Sequence, residues 1–182
     1  RFSDSNAAGG VQHAWFVSEL AASSAAWKLA FFHHPARTTT TGHAPSAAMQ
    51  GWNFQSVGIH AVLQGHNHQS ERIESGIPWF VCGAGGNALY SVNVLDPESV
   101  FLDVNSFMFL LVDADATSIL FRFIDTAGTV RDTRVIERDG ACCTGTLCSV
   151  VGRSSCLGNG GTFQGAGTAC EAPGNARTCC PA

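Results

Sequence analysis

Three groups of histidines are the residues of this chain best suited to chemistry. His33 and His34 stand in the run FFHHP, His43 follows ten residues after His33, and His66 and His68 stand in the run GHNH. Imidazole nitrogens are suitable ligands for zinc, iron and nickel. A histidine can also exchange a proton near neutral pH. These residues indicate a metal-dependent reaction, while the simpler interpretation is a set of solvated loop histidines.

Two short apolar runs come directly before these motifs. WKLAFF (27–32) precedes His33, and HAVLQ (60–64) precedes GHNH; both are too short for helices and are typical of buried strands. Ligands bind at the carboxyl ends of such strands, so we expect the histidines to meet at one sheet edge. In an extended chain His33 and His34 point to opposite faces, so at most one of them is expected to be a ligand.

The remaining pattern predicts an α/β fold. Residues 10–25 are helix-like, 35–50 form a loop, 51–57 form a short helix and 77–83 form a third strand. The segments 107–114, 117–125 and 129–137 predict three consecutive antiparallel strands. The combination fits mixed sheets flanked by helices.

The composition changes after residue 138. Glycine, threonine and cysteine dominate 139–182, so we expect two domains, 1–138 and a disulfide-stabilised module at 139–182. The module holds seven cysteines, whose pairing is open: Cys142, Cys143, Cys148, Cys156, Cys170, Cys179 and Cys180. Their density indicates an oxidising compartment, and a zinc knuckle is the alternative. Cys82 is interpreted as a small buried hydrophobe rather than a reactive thiol.

Bulk properties exclude some partners. The 182 residues carry a net charge of −4, which gives no basic field for nucleic acids. No apolar run reaches the roughly 18–20 residues that span a bilayer. Because the chain opens on Arg1 with RFSDSN, we expect a fragment of a longer protein. The cysteine-rich tail favours a secreted, periplasmic or cell-surface location and resembles short modules of secreted bacterial proteins.

The motifs taken together resemble a known family. They are similar to the carboxyl half of the calcineurin-like metallophosphoesterases, and nearest to their purple acid phosphatase-like branch. The segments that carry the similarity are QHAWFVSELAASSAAWKLAFFHHP, the loop with its histidine, AVLQGHNHQSER and PWFVCGAGG. The resemblance covers about residues 2–137. It implies the carboxyl half of an α/β sandwich and a metal-dependent phosphoric ester hydrolase, acid phosphatase-like, that acts on a phosphate ester substrate.

The resemblance also implies roles for particular residues. His33 and His66 would bind one metal and His68 the other, in a site for two divalent or trivalent ions of iron, zinc or manganese. His43 would face the substrate phosphate and serve catalysis by donating a hydrogen bond or protonating the leaving alkoxide. Arg72 would be structural, with a substrate-facing role as the alternative.

One half of the family's site has no counterpart in this sequence. The GDxx segment with its bridging aspartate and the GNH motif are absent, and Gly86-Asn87-Ala88 is the nearest string. We therefore expect activity of the parent protein and inactivity of this chain alone. Two alternatives are a non-catalytic secreted metal-binding or surface-adhesion protein on the same scaffold, with contacts through the tail, and a phosphodiesterase or nucleotidase.

Overall fold

The computed structural model describes residues 5–170. Its elements along the chain are α1 (Val11–Ala22), β1 (Leu29–Phe32), α2 (Ala47–Gln50), β2 (Ala61–Gln64), β3 (Ser70–Ser75), β4 (Ile77–Cys82), β5 (Ser99–Asp103), β6 (Met108–Ala114), β7 (Ser118–Asp125), β8 (Val130–Glu137), β9 (Gly140–Thr144), β10 (Leu147–Val151), α3 (Arg153–Gly158) and β11 (Thr162–Phe163).

A five-stranded mixed sheet positions the histidine motifs. Its order is β1-β2-β4-β3-β5, with β1, β2 and β4 parallel and with β3 antiparallel to both β4 and β5. Phe32 pairs with Gln64, so β1 and β2 end side by side. The HHP and GHNH motifs therefore start from neighbouring points of one sheet edge.

One hydrophobic cluster of this region lies on one face of the sheet. Buried side chains of the strands meet those of the 52–59 segment, and Phe16 and Leu20 of α1 pack against them; the buried set is Ala30, Ala36, Trp52, Phe54, Ile59, Val62, Ile73 and Trp79. Strand β1 is an edge of this sheet, and its Phe31 is 83% exposed. The expectation of a fully buried strand there is wrong, because only one face of β1 is covered.

Several predicted elements are confirmed and others are not. The helix near 10–25, the three strands before His33, before GHNH and at 77–83, and the three strands of the meander are present. The predicted helix at 51–57 is wrong: that segment consists of turns, Asn53 has a φ of 46°, and Trp52 and Phe54 enter the core. Strands β3 and β5 were not predicted, because SERIES is polar and SVFLD follows a long irregular stretch.

The C-terminal region is a small disulfide-bonded module. Strands β10, β9 and β11 form an antiparallel sheet, and β6, β7 and β8 form a separate three-stranded sheet. Disulfides join Cys142 to Cys156 and Cys148 to Cys170, with Cα–Cα distances of 5.6 and 5.8 Å. These sulfurs cannot serve as thiolate ligands, so the zinc-knuckle alternative is wrong for them. Cys143 is also disulfide-bonded; Cys179 and Cys180, whose partners the sequence left open, lie outside the described residues.

The chain divides into two compact units. One consists of residues up to 111 with 122–132, and the other of 112–121 with residues from 133 onward. The domain boundary at 138/139 stays a prediction. All residues of the candidate site described below belong to the first unit. No helix within residues 5–170 is long and apolar enough to cross a membrane.

Candidate metal centre

His33 and His66 meet where β1 and β2 end. The Gly65 N–H donates to the His33 carbonyl oxygen at 3.1 Å, which ties the two strand ends together. Nε2 of His33 then lies 3.0 Å from Nδ1 of His66, and the ring centroids are 4.9 Å apart. The two imidazoles that the resemblance assigns to one metal thus face each other at hydrogen-bond distance.

The turn that presents His66 is strained. Its φ is 69°, a left-handed value that non-glycine residues rarely adopt, and the Asn67 N–H donates to the Gly65 carbonyl oxygen at 2.8 Å. This closes a three-residue turn centred on His66. Strain of this kind costs about 1–3 kcal/mol and is concentrated at functional sites. The turn directs the His66 ring toward the end of β1.

His34 and His43 also contact His66. The ring centroid of His34 is 4.3 Å from that of His66, and the centroid of His43 is 4.1 Å from it. His33 and His34 do not point to opposite faces of a strand, because β1 ends at Phe32 and the two residues lie in a bend. Both rings therefore join the cluster, and His34 forms part of its wall.

His68 lies against Tyr90. The two rings are stacked, with centroids 4.2 Å apart and an interplanar angle of 19°, while the Tyr90 ring also contacts the edge of His43. Nδ1 of His68 is 2.7 Å from the Ala88 carbonyl oxygen and acts as the donor to it. In the neutral ring this contact keeps the proton on Nδ1 and leaves the lone pair on Nε2.

His43 is held through its main chain. Its N–H donates to Oδ1 of Asn67 at 3.0 Å, and its carbonyl oxygen accepts from Nδ2 of Asn67 at 2.9 Å. The loop that carries it is closed at its base, where the Ser46 N–H donates to the Pro35 carbonyl oxygen at 2.6 Å. The structure thus places His43 on a pinned loop rather than on an unrestrained one.

A buried polar network supports this loop from behind. Glu71 on β3 is fully buried and accepts from the Thr39 N–H at 2.8 Å, from the Thr39 hydroxyl and from Nε2 of Gln69. Thr38 accepts from Asn67 and from Gln69, both at 3.1 Å. A carboxylate buried without these donors would be strongly destabilising, so the network and the loop conformation depend on each other.

The histidines fit metal ligation in part. Two nitrogens bound to one ion at about 2.0–2.1 Å lie about 2.9–3.4 Å apart when the angle at the metal is about 90–110°. The 3.0 Å between His33 and His66 falls in this range, and His68 has the ligand tautomer. Within residues 5–170, however, no set of three or more His, Cys, Asp or Glu side chains is arranged to hold a metal. The assignment of His33, His66 and His68 as ligands stays a prediction.

The cluster depresses the basicity of its central histidine. Desolvation, followed by the positive charges that His43, His34, His33 and His68 carry when protonated, lowers the pKa of His66 below 6.5. A lowered pKa keeps the ring neutral in weak acid, and the neutral ring is the form that binds a metal.

Arg72 and Cys82 lie close to the motifs in sequence. The Arg72 guanidinium donates to both carboxylate oxygens of Asp132, at 2.7 and 2.9 Å, and to Glu74. These contacts support the structural interpretation of Arg72, and its substrate-facing role stays a prediction. Burial raises the pKa of the Cys82 thiol to about 12, which supports its interpretation as an unreactive, hydrophobic residue.

Sequence reasoning missed two residues of this site. Asn67 occupies the variable position of GHNH, and its place between two predicted ligands was the only available signal. Tyr90 lies after the glycine run that follows β4, and its ring packs on Gly42 so closely that a Cβ there would lie 2.4 Å from it. That contact joins two segments distant in sequence, so no local pattern could have revealed it.

Comparisons with known proteins support the fold. No family model and no curated protein matches the chain. Among solved structures, GAP50, the anchor in the inner membrane complex of Plasmodium, is similar with a TM-score of 0.59 and 16% identity, over 69% of this chain and 42% of its own. PhoD gives a TM-score of 0.45 and 14% identity, over 85% and 36% of the two chains. A single mutant of Vps29 from Entamoeba histolytica gives 0.31 and 16%, over 57% and 52%.

These likenesses concern the fold alone. The similarity to GAP50 supports an α/β fold shared with that protein over 69% of this chain, which here has a disulfide-rich C-terminal region. The chain spans less than half the length of GAP50 and of PhoD.

Proposed function

We propose that this chain supplies the histidine half of a two-metal site in a phosphoric ester hydrolase of the acid phosphatase type. The observation that supports the proposal is the convergence of His33, His34, His43 and His66 at the carboxyl ends of β1 and β2. The phosphoesterase-like fold is the second support. The carboxylate and asparagine ligands would come from residues that precede Arg1 in a longer protein.

Each histidine has a separate role in this proposal. Nε2 of His33 and Nδ1 of His66 would bind one ion of iron, zinc or manganese, and Nε2 of His68 would bind the second. Such ions, when bound, lower the pKa of a water and stabilise the charge of an in-line displacement. His43 would donate a hydrogen bond to the phosphate oxygen or give a proton to the departing alkoxide.

Zinc binding by the chain tests the ligand assignment. His66→Ala removes the nitrogen that faces His33, so we expect zinc affinity measured by titration calorimetry to fall by tenfold or more. His13→Ala on α1 is the matched control, since His13 packs against Trp52 and contacts no other histidine ring in the described contacts. Equal zinc affinity for wild type and His66→Ala would refute the ligand assignment.

Hydrolysis tests the reaction. We expect the chain alone to show negligible turnover of a chromogenic phosphate monoester with added zinc, manganese or iron. A longer protein containing GDxx and GNH is expected to turn it over, with a loss of several orders of magnitude in His66→Ala and His68→Ala. Rates on a phosphodiester, measured in parallel, decide between the phosphatase and the diesterase or nucleotidase alternative.

A non-catalytic function is the second candidate. GAP50 is described as an anchor, which favours a binding role for a chain of the same fold. In that case the chain would be a metal-binding or surface-adhesion protein with contacts through its C-terminal module. Absence of GDxx and GNH from the sequence before Arg1 would favour this candidate over the hydrolase.

The disulfides indicate an oxidising environment for the protein. We propose a secreted, periplasmic or cell-surface location in a bacterium. Detection of the protein in the culture medium or periplasmic fraction, with its cysteines oxidised, would test this.

A further inference from the structure

Asn67 is a buried side chain that is hydrogen-bonded to both the N–H and the carbonyl group of His43. Its amide accepts the His43 N–H and donates to the His43 carbonyl oxygen, at 3.0 and 2.9 Å. Asn67 is fully buried, whereas His43 is exposed. An exposed histidine thus takes its place from a buried neighbour in the GHNH turn.

Asn67 is itself fixed by the segment before His43. Its Nδ2 also donates to Thr38 at 3.1 Å, and Thr38 and Thr39 are bonded to Gln69 and Glu71. The side of the loop that leads to His43 and the turn that carries His66 are therefore joined through one amide group.

We propose that Asn67 is a positioning residue for His43, and that the buried Glu71 network holds Asn67 in its working orientation. The purpose of this positioning is to keep His43 over the phosphate site, and that purpose rests on the proposed function. The contact also determines how His43 meets His66, whose ring centroid is 4.1 Å away.

The chemistry of the contact requires an amide. The side chain at position 67 must offer an acceptor to the His43 N–H and a donor to the His43 carbonyl oxygen at the same time. Asn67→Asp keeps the size of the side chain but replaces the donating amide nitrogen by a carboxylate oxygen, which faces the His43 carbonyl oxygen. Asn67→Ala removes both bonds. In either variant the loop keeps its other ties, among them the bond from Asn93 Nδ2 to the Thr41 carbonyl oxygen and the Ser46–Pro35 bond at its base.

Nuclear Overhauser effects between the ring protons of His43 and His66 test the proposal in the chain as it exists. We expect a nuclear Overhauser effect between these rings in the wild type. We expect its intensity to fall by roughly an order of magnitude in Asn67→Ala and Asn67→Asp. Gln64→Ala is the matched control. The Gln64 amide is also buried and makes three hydrogen bonds to the same loop, but at Ala36 and Arg37. We expect Gln64→Ala to keep the effect.

Full retention of the effect in a folded Asn67 variant would overturn the proposal, as would its equal loss in Gln64→Ala. If both Asn67 variants fail to fold, Thr38→Val removes the hydroxyl that anchors Asn67 and is expected to weaken the effect by a smaller factor; an unchanged effect there would also refute it.

Added inorganic phosphate separates this inference from the proposed function. We expect phosphate with zinc to shift the His43 ring signals of the wild type, and to shift them less in Asn67→Ala. No shift of the His43 signals in the wild type would count against the substrate role of His43. The nuclear Overhauser effect between His43 and His66 would still test the positioning role of Asn67.

Discussion

The histidine cluster shows how single residues acquire distinct chemistry from their surroundings. His66 is centred on a strained turn and touches three other imidazoles, while His68 is fixed by Ala88 and Tyr90. Four imidazoles at close range cannot all be protonated without repulsion. Desolvation and this repulsion lower the pKa of His66, whose neutral ring is the form that binds a cation.

The lowered pKa of His66 predicts an acid-sensitive contribution to stability. Between the lowered folded value and the ordinary value of 6.5, the unfolded chain binds more protons than the folded chain. The contribution of His66 is therefore favourable above 6.5 and is lost as the pH falls through the folded value. Titration of its ring protons by NMR is expected to give a midpoint below 6.5.

His43→Ala provides the comparison for that titration. It removes one neighbouring charge and is expected to raise the midpoint of His66 only in part, since desolvation is the larger cause. A midpoint at or above 6.5 in the wild type would contradict the prediction.

At the scale of elements, the GHNH turn contacts two other segments. The Asn67 side chain is bonded to the loop that carries His43, and the Asn67 main chain lies close to Gly83, which follows β4. A Cβ at Gly83 would lie 1.9 Å from the Asn67 carbonyl oxygen. The absence of a side chain at Gly83 is thus a condition for the turn to occupy its place.

Gly83→Ala is expected to displace the turn. Overpacking against backbone costs about 1–3 kcal/mol, and it should weaken zinc binding because His66 and His68 move with the turn. Urea unfolding and titration calorimetry measure the two effects. Gly85→Ala is the matched control, since a Cβ at Gly85 meets nothing within 4 Å. Equal stability and zinc affinity in the two variants would contradict the close contact.

The sequence predicted elements better than it predicted their surroundings. The three parallel strands of the larger sheet were evident because LAFF, AVLQ and IPWFVC are apolar and short. Strand β3 was missed because its residues are polar, and Ser70 and Glu71 are nevertheless fully buried. The burial of Glu71 depends on Thr39 and Gln69, and a hydrogen bond between distant segments such as that of Thr39 with Glu71 leaves no periodic pattern in the sequence.

At the scale of the whole molecule, the C-terminal module depends on covalent links. Its elements are short, as in β9, α3 and β11, and short elements bury little apolar surface. The Cys148–Cys170 disulfide closes a loop with a sequence separation of 22. A loop of this length is worth about 3 kcal/mol in the entropic treatment.

Removing that disulfide is expected to loosen the module. The double variant Cys148→Ser, Cys170→Ser should lose about 2–4 kcal/mol of stability, visible as faster amide hydrogen exchange in β9 and β10. Cys82→Ala is the control, because Cys82 is a free cysteine and alanine places no polar group at this buried position. Equal exchange rates in the double variant and the control would show that packing holds the module together without this disulfide.

The closed base of the loop from Pro35 to Ser46 has a practical consequence for redesign. Gln64 ties its first residues and Asn67 ties its far side, so the short stretch around Ala44 is bounded by fixed points. Ala44 is exposed beside His43. A library of substitutions confined to Ala44 would therefore vary the surface beside the histidines while the sheet stays unchanged. Ala44 is thus a suitable first position for directed evolution of ligand preference.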